Sequence, residues 1–348
     1  MPEPRVLVVG CGAIGGVIAA HLLDLGQDVS LLTTNAAIAA ALREHGVRVT
    51  GDEPPATVHA RAVFERLGPD VEPFDTVLLA TQPPQVEAAA ESAAGVLAPD
   101  GRVVCFQNGL CEERVAKIVG AERVVGAVVT WGASMLEPGL YERTSSGGFS
   151  VGRLDGTRDA RLDELARLLE AIGPVSLTDN LRGARWSKLA INCAISTLGT
   201  IGGDRLGVLM RQRYVRRLAL EVMTEVVAVA RAEQVRLEKV SGTFDLDWLA
   251  LTDAERTAAA SPGLMAKHTL LLAVGARYRR LRSSMLAAIE RGREPAVEFL
   301  NGEVIARAER HGIEVPVNRA ARDRVWKIAR RQEQASHSTL RALYEQTR

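Results

Sequence analysis

The feature that most constrains the fold is the stretch RVLVVGCGAIGG, residues 5–16. Residues 5–9 are aliphatic or β-branched apart from the first and lack polar alternation, which is typical of a parallel strand buried on both faces. Gly10, Gly12 and Gly15 then form G-x-G-x-x-G, and the residues that follow have helical spacing. A strand, a glycine-rich turn and a helix in this order predict a dinucleotide-binding Rossmann unit.

The three glycines have separate roles in such a turn. Gly10 permits the tight turn, Gly12 lets a pyrophosphate approach the backbone, and Gly15 lets the helix pack closely on the strand. The phosphates then lie at the positive N-terminus of the helix. The cofactor-binding residues predicted in this stretch are Gly10, Gly12, Ala13, Ile14 and Gly15. A glycine turn with a purely structural role is the alternative.

Length and composition are those of a globular enzyme. The chain has 348 residues, 47% hydrophobic and 24% charged, which is enough for two domains with a core each. A formal net charge of +1 argues against general nucleic-acid binding. The four cysteines show neither a C-x-x-C pair nor metal-ligand spacing, which favours a reduced, cytoplasmic protein without a metal site.

The apolar N-terminus also resembles the core of a signal peptide. Only Arg5 precedes it as a basic side chain, and cleavage before Cys11 would destroy the glycine motif, so the Rossmann interpretation is preferred. No apolar run reaches the roughly eighteen residues that a membrane span requires. We therefore expect a small-molecule substrate, no nucleic-acid or membrane partner, and a monomer or homodimer.

The end of the second predicted strand, residues 28–32, bears on the choice of cofactor. A NAD-specific site has an acidic residue there, which holds the ribose 2′-hydroxyl. This chain has Thr33, Thr34 and Asn35 instead, which tolerate a 2′-phosphate and can donate to it, so NADPH is favoured over NADH. No arginine follows until Arg43. An ordinary strand-to-helix loop is the alternative, since Thr and Asn suit caps and turns.

Further buried strands and helices extend the α/β pattern. Strands are predicted at 76–80, 102–106, 124–130, 148–152 and 175–177, helices at 85–97 and 159–172, and a short hairpin or irregular crossover at 47–63. Asn108 follows one of these strands, and in an open α/β sheet ligands collect at the carboxyl ends of strands. Asn108 is thus a candidate binding residue, with a simple Asn-Gly turn as the alternative.

The pattern changes at Asp179, after which the chain is almost wholly helical. We predict a doubly wound first domain at 1–178 and an all-α second domain at 179–348. The predicted helices begin at Asp179 and continue at 214–233, 267–289, 297–311 and 319–344, with an irregular connection containing a short helix at 241–262. The basic run at 277–282 is interpreted as a solvated helix face, with a contact to cofactor phosphate as the alternative.

Four stretches, taken together, resemble the ketopantoate reductase family. They are GCGAIGG near the start, FQNGL at 106–110, RGARWSKLAINCAISTL at 182–198, and Ser-Ser-Met at 283–285 followed by GRxxxxExxNG at 292–302. The third is the most specific, because it spaces Arg185, Trp186, Lys188, Leu189 and Asn192 as the family's signature helix does. The resemblance covers nearly the whole chain.

The resemblance implies an NADP-binding first domain, a helical domain that carries substrate and catalytic groups, and an active-site cleft between them. It implies hydride transfer from NADPH to the carbonyl of a 2-oxo acid such as 2-dehydropantoate, giving the 2-hydroxy acid and NADP+. Lys188 would polarise the carbonyl and supply the proton, because hydride addition leaves an alkoxide. Asn108 and Asn192 would orient the substrate, and Ser284 would bind its polar end. Taken alone, Lys188 would be interpreted as a surface lysine.

Several positions depart from the family pattern. Ala296 stands where an acidic residue holds the substrate's hydroxyl, Ala287 and Ala288 replace a Gln-Asp pair, and Ser196 replaces a second asparagine. Gln82, still a candidate cofactor contact, stands where a lysine is expected. The acids nearest in sequence that could replace the missing one are Glu290, Glu294 and Glu298.

These departures leave two alternatives beside reduction of 2-dehydropantoate. One is a diverged family member of specialised metabolism that reduces a bulkier or more apolar ketone or imine. The other is a non-catalytic NADP-binding redox sensor, against which the retained Lys188 and Asn192 argue. Ala296 and Ser196 are therefore included among the predicted substrate-binding positions, together with Ser284.

Overall fold

The computed structural model describes residues 4–51, 55, 57–240, 244–258 and 260–348. The chain divides into two compact units, Met1–Leu181 and Arg182–Arg348, three residues beyond the boundary chosen from the sequence. Within the described ranges, no helix has both the length and the apolar character needed to cross a membrane. Parts of two predicted connections, residues 52–54 and 56 and residues 241–243 and 259, lie outside the described residues.

The first unit is a doubly wound α/β sheet. Its strands are β1 (Arg5–Val9), β2 (Asp28–Leu32), β3 (Arg48–Thr50), β4 (Ala62–Phe64), β5 (Phe74–Leu79), β6 (Leu97–Cys105), β7 (Val124–Val129), β8 (Gly132–Glu137), β9 (Leu140–Ser145), β10 (Phe149–Arg153) and β11 (Val175–Leu177). Its helices are α1 (Ala13–Asp24), α2 (Ala36–His45), α3 (Val86–Ala94), α4 (Cys111–Val119) and α5 (Ala160–Glu170).

The eight-stranded sheet has the order β11-β10-β7-β6-β5-β1-β2-β4. All its strand pairs are parallel except β7 with β10. Burial explains the central position of β1, since Leu7 and Val8 are fully buried, one on each face of the strand. The predicted α/β class and Rossmann-type sheet are confirmed.

A hairpin that the sequence analysis missed packs on α1. Strands β8 and β9 join β3 in a separate three-stranded sheet. Tyr141 of β9 is fully buried, and its hydroxyl donates to the carbonyl of Cys11 over 2.9 Å. A Cβ added at Gly16 would lie 2.2 Å from the Tyr141 ring, so α1 needs a glycine there. The pattern hid β8 because most of its side chains are exposed.

In the described residues of the second unit, the regular elements are all helices, apart from an isolated bridge. They are α6 (Leu181–Gly202), α7 (Leu206–Leu209), α8 (Arg213–Ala232), α9 (Leu246–Leu249), α10 (Asp253–Thr257), α11 (Pro262–Arg277), α12 (Ser284–Glu290), α13 (Asn301–Arg310), α14 (Pro316–Ala329) and α15 (His337–Gln346), with a 3₁₀ turn at Ala296–Phe299. The predicted helical class of this half of the chain is confirmed.

Two predicted long helices are wrong, because each is interrupted by a serine cap. The segment 267–289 divides into α11 and α12, and Ser283 Oγ accepts from Leu286 N at the start of α12. The segment 319–344 divides into α14 and α15, where Ser336 Oγ accepts from Thr339 N. Neither break, at 278–283 or at 330–336, contains a glycine or a proline, so the usual signals that end a helix are absent from both.

The helix predicted at 85–97 is also too long. A 3₁₀ turn covers Pro83–Gln85, α3 ends at Ala94, and Leu97 begins β6. The basic run 277–282 lies at the end of α11 and in the turn that follows, and its side chains are exposed. It is therefore solvated, though not on a continuous helix.

Candidate active site

The carboxyl ends of four adjacent strands bring the predicted cofactor residues together. In the order β6-β5-β1-β2, the loops after these strands carry Asn108, Gln82, Gly10–Gly15 and Thr33–Asn35 respectively. The chain continues from β1 to β2 on one side, while β5 lies on the other, so the sheet order reverses beside β1. A crevice at such a reversal is where open α/β sheets bind their ligands.

The glycine turn has the geometry required to hold a pyrophosphate. Gly10 has φ +96° and an added Cβ would lie 2.8 Å from Thr81 N. At Gly15 an added Cβ would lie 2.0 Å from the carbonyl oxygen of Gly10. Apart from the chain next to Gly12, no heavy atom of the described residues lies within 4 Å of the corresponding position there. Two glycines are therefore explained by protein packing, while Gly12 leaves open space for a ligand.

The start of α1 leaves donors available beside that space. Gly12 is the N-cap and makes no side-chain cap, and the first turn has no acidic residue. Gly12, Ala13 and Ile14 are partly exposed, whereas Gly15 is buried. An uncapped, accessible helix N-terminus favours an anion, so these residues fit a dinucleotide pyrophosphate.

Two of the three polar residues after β2 have structural partners. Asn35 Oδ1 accepts from Ile38 N over 3.1 Å and caps α2. The Thr33 hydroxyl accepts from Asn35 N over 3.3 Å, and Thr33 is buried. Thr34 is exposed. The loop carries no carboxylate, and Thr34 is the one of the three whose side chain makes no hydrogen bond with the described residues.

Gln82 and Asn108 are exposed at the ends of β5 and β6. Between them lies Gln107, which the sequence analysis did not single out. Its side-chain amide donates to Leu79 O over 3.0 Å and to Thr81 Oγ1 over 3.2 Å, and the residue is buried. Gln107 therefore ties the β6 loop to the β5 loop. Its only sequence signal was its place beside Asn108.

The accessible face of α6 in the second unit carries two of the three predicted catalytic residues, Lys188 and Asn192, together with Ser196, predicted to bind substrate. Lys188, Asn192 and Ser196 follow one another at intervals of four residues, so they lie along one side of the helix. All three are partly exposed, while most of their neighbours in the helix are buried, among them Trp186 and Leu189. The spacing thus turns three polar side chains toward the same accessible strip.

Lys188 is the most perturbed group on that face. Loss of hydration, and secondarily the positive charge of Arg185, lower the pKa of Lys188 from 10.5 to about 7. Part of the side chain still reaches the surface, so a substrate can contact it. A lysine poised near neutrality exchanges a proton readily, which is typical of acid–base groups in active sites.

Asn192 supplies a hydrogen-bond donor that the described part of the chain does not use. Its Nδ2 is buried and has no hydrogen-bond partner there. A buried donor without a partner costs free energy, roughly 1–3 kcal/mol, and commonly marks a ligand contact. The donor lies one helical turn from Lys188.

Ser283, next to the predicted Ser284, connects α12 to α6. Its hydroxyl donates to Ser196 O over 2.8 Å and lies 2.8 Å from Thr200 Oγ1. Ser284 begins α12 and is exposed. The neighbouring Ser283 therefore fixes the start of α12, and with it Ser284, beside the Ser196 end of the accessible face.

The acids that might replace the one missing at Ala296 differ in their surroundings. Ala296 is partly buried at the start of the 3₁₀ turn. Glu290 pairs with Arg282 over 2.5 Å. Glu298 accepts from Trp326 Nε1 over 2.6 Å, which turns it toward α14. Glu294 is exposed and makes no hydrogen bond or ion pair with the described residues.

A buried amide–carboxylate network contacts the buried side of α6, and the sequence analysis missed it. Asn301 accepts from Thr197 Oγ1 over 2.6 Å and donates to Asn318 Oδ1 over 2.9 Å and Cys193 O over 3.4 Å. Asn318 in turn donates through its backbone and side chain to Glu225. Burial raises the pKa of the Glu225 carboxyl, although these donors oppose the shift. The Asn-Gly at 301–302 was the available signal.

The described residues contain no group of three or more His, Cys, Asp or Glu side chains placed to hold a metal. What the two sites offer is an anion-binding turn with open space at Gly12, and a helix face with a near-neutral lysine and an amide donor.

Comparison with known proteins identifies the family. The family profile described as ketopantoate reductase PanE/ApbA matches residues 6–156, and its C-terminal counterpart matches residues 180–329. The 2-dehydropantoate 2-reductase of Pyrococcus horikoshii is 26% identical over 316 residues, 90% of this chain and 94% of that one. That of Halobacterium salinarum is 27% identical over 323 residues, 92% of this chain and 97% of the relative.

Two solved structures are also similar to this chain. The PanE/ApbA family ketopantoate reductase from Ralstonia eutropha JMP134 aligns with a TM-score of 0.78 at 26% identity, covering 94% of this chain and 99% of that one. D-mandelate dehydrogenase, in a ternary complex with NADH and anilino(oxo)acetate, has the same TM-score of 0.78 at 18% identity, covering 97% of this chain and 99% of the other, and shares the fold. This chain belongs to the ketopantoate reductase family of oxidoreductases.

Proposed function

We propose that the protein is an NADPH-dependent reductase that converts a 2-oxo acid to the 2-hydroxy acid, with 2-dehydropantoate as the first candidate substrate. The observation that carries the proposal is the accessible face of α6. There, Lys188 has a pKa of about 7 and the Asn192 amide has no partner among the described residues. A carbonyl oxygen that becomes an alkoxide needs a hydrogen-bond donor and a proton, and these two groups supply them.

The cofactor is assigned to the strand-end site of the first unit. The amides at Gly12, Ala13 and Ile14 would hold the pyrophosphate, with Gly10 and Gly15 shaping the turn. Gln82 and Asn108 are exposed at the neighbouring strand ends, where they would contact the nicotinamide half. When bound, the reduced dinucleotide supplies the hydride.

Lys188 would act on the substrate carbonyl. Its ammonium donates to the carbonyl oxygen, which makes the carbon more electrophilic, and transfers its proton as negative charge develops on that oxygen. A pKa of about 7 means that both protonation states are populated at neutral pH. The same residue can therefore donate a proton during reduction and accept one in the reverse reaction. Arg185, close enough to depress this pKa, adds positive potential that favours an anionic substrate.

Asn192 and Ser284 would orient the substrate. The Asn192 amide donates to the carbonyl oxygen or to the carboxylate beside it, which satisfies its buried Nδ2. The Ser284 hydroxyl would bind the polar end of the substrate. Lys188 would therefore supply the proton, while Asn108, Asn192 and Ser284 would orient the substrate.

The test is a steady-state assay that follows NADPH absorbance with a panel of 2-oxo acids, including 2-dehydropantoate and the hydroxyl-free 2-oxoisovalerate. We expect saturable NADPH oxidation with at least one of them and formation of the matching 2-hydroxy acid. NADPH binding without turnover on any 2-oxo acid, ketone or imine would instead support a cofactor-binding sensor.

A second candidate function is reduction of a bulkier or more apolar ketone or imine. It is favoured by Ala287, Ala288 and Ala296, and by the engagement of Glu290 with Arg282 and of Glu298 with Trp326. These residues leave fewer groups to hold a substrate hydroxyl. A kcat/KM at least tenfold higher for an apolar ketone than for 2-dehydropantoate would select this candidate.

A further inference from the structure

The loop after one strand of the sheet carries an arginine, and it lies beside the loop after β2, which has none. The loop after β2 contains no arginine, and Arg43 is the first to follow it. The structure inserts β4 beside β2 as the last strand of the sheet, and Arg66 lies two residues beyond the end of β4. Sequence patterns alone do not group Arg66 with Thr34, because 32 positions separate the two residues.

The register places both residues at the same edge. Strands β2 and β4 are parallel, and Leu32 is opposite Phe64 at their carboxyl ends. The pairing continues one step further, since Thr33 N donates to Phe64 O over 3.0 Å. Thr34 and Arg66 are each two residues beyond the Leu32–Phe64 pair. The two loops that carry them leave neighbouring strands whose backbones are about 4.8 Å apart.

The charges around this edge leave Arg66 available. Arg66 is exposed and makes no ion pair or hydrogen bond with the described residues. Its neighbour Glu65, which would repel a phosphate, pairs with Arg43 over 2.9 Å. Arg43 also donates to Val63 O over 3.0 Å. The carboxylate beside Arg66 is thus compensated, and Arg43 is committed to compensating it.

The contrast with Arg61 shows that this availability is specific to one end of the strand. Arg61 lies just before β4, and it pairs with Asp28 over 2.5 Å at the amino ends of the strands. The arginine at the ligand-binding end has no such partner among the described residues.

We propose that Arg66 and the Thr34 hydroxyl bind the 2′-phosphate of NADPH, so that Arg66 replaces the arginine missing after β2. The inference rests on the proposed function, since it concerns the same cofactor. A guanidinium binds phosphate through charge-assisted hydrogen bonds and discriminates it from the hydroxyl of NADH. Arg66 therefore determines cofactor specificity.

The experiment measures binding of adenosine fragments by calorimetry, so it does not depend on turnover. We expect the wild-type protein to bind 2′,5′-ADP more tightly than 5′-AMP. Arg66→Ala should lower the affinity for 2′,5′-ADP by about tenfold or more and leave the affinity for 5′-AMP unchanged. Arg66→Lys should retain part of the preference. The matched control is Arg61→Ala, at the opposite end of β4, which should change neither affinity.

Two results would overturn the assignment of Arg66. One is unchanged binding of 2′,5′-ADP by Arg66→Ala, and the other is equal affinity of the wild-type protein for the two fragments. The NADPH and NADH affinities of the wild-type protein separate this inference from the proposed function. If NADPH binds tightly and Arg66→Ala does not weaken it, only the inference fails. If neither dinucleotide binds, both fail.

Discussion

The two units build their sites from different parts of the chain. The strand-end site of the first unit is mostly backbone, since the glycine turn presents amides and open space at Gly12. The site on α6 is made of side chains, with Lys188, Asn192 and Ser196 along one helix face. A backbone site depends on the absence of side chains, whereas a side-chain site depends on their identity. The first therefore constrains the spacing of residues, whereas single substitutions can change the groups that the second presents to a ligand.

The largest effect tests the side-chain site. Lys188→Met keeps most of the volume of the residue and removes its proton, so turnover should fall by about 10²- to 10⁴-fold. Affinity for NADPH, assigned to the other unit, should barely change. Steady-state kinetics and fluorescence titration measure the two effects, and near-normal turnover would return Lys188 to the role of a surface lysine.

The same variant should be more stable than the wild-type protein. The pKa of Lys188 is lower in the folded protein than its ordinary value of 10.5. The unfolded chain therefore binds more protons between pH 7 and pH 10.5, so the destabilisation by the lysine is fully present below about pH 7 and is lost as the pH rises to 10.5. Thermal unfolding should show a higher Tm for Lys188→Met at pH 7 and a smaller difference near pH 10. Loss of stability at both pH values would contradict this.

The next effect tests the backbone site. Gly12→Ala places a methyl group in the open space and should weaken NADPH binding by about tenfold or more, with stability within roughly 0.5 kcal/mol of wild type. Gly15→Ala drives a Cβ into the Gly10 carbonyl and should cost about 1–3 kcal/mol of stability. Titration and chemical denaturation of both variants compare them. Equal destabilisation would mean that Gly12 serves packing only.

A smaller effect concerns substrate choice at Ala296. An acid there would accept a hydrogen bond from a substrate hydroxyl that alanine leaves unpaired. Ala296→Glu should raise kcat/KM for 2-dehydropantoate relative to 2-oxoisovalerate by about five- to 150-fold, from an unmade bond worth roughly 1–3 kcal/mol. Ala296→Gln controls for size. A wild-type protein that already strongly prefers 2-dehydropantoate would show that another group, with Glu294 the first to test, holds the hydroxyl.

The last effect is the pH dependence of the wild-type enzyme. Reduction needs protonated Lys188, so kcat should fall as the pH rises through about 7, by up to about tenfold for each unit above it. The reverse oxidation should gain activity over the same range. Stopped-flow measurement of the hydride-transfer step checks this, and a flat profile from pH 6 to pH 9 would exclude a proton donor with this pKa.

The same contrast explains how much could be predicted from the sequence. The β1–α1 unit was predicted correctly because buried strands and glycine spacing are local signals, and the change to helices near residue 180 was equally clear. Hairpin β8–β9 was missed because its stability comes from contacts with α1 rather than from its own pattern. The helix breaks before Ser283 and Ser336 were missed because neither contains a glycine or a proline to mark the end of a helix.

The candidate sites follow the same rule. Gly12 and Lys188 could be singled out from motifs, and the structure adds the open space at one and the depressed pKa at the other. Gln107 and Asn301 lie within quoted motifs, but their structural roles depend on partners far away in the chain, and the position of Arg66 beside Thr34 depends on strand order. Their assignment required the three-dimensional neighbours.

The hydrogen bond between Tyr141 and the Cys11 carbonyl has a consequence for the order of events during synthesis. It joins the glycine turn to a residue 130 positions later, so the turn lacks this hydrogen bond until the hairpin has left the ribosome. Nascent chains that end before β9 should carry β1 and α1 with an unsecured phosphate loop and an uncovered helix face at Gly16. The glycine turn is thus translated early, but its contacts are completed late.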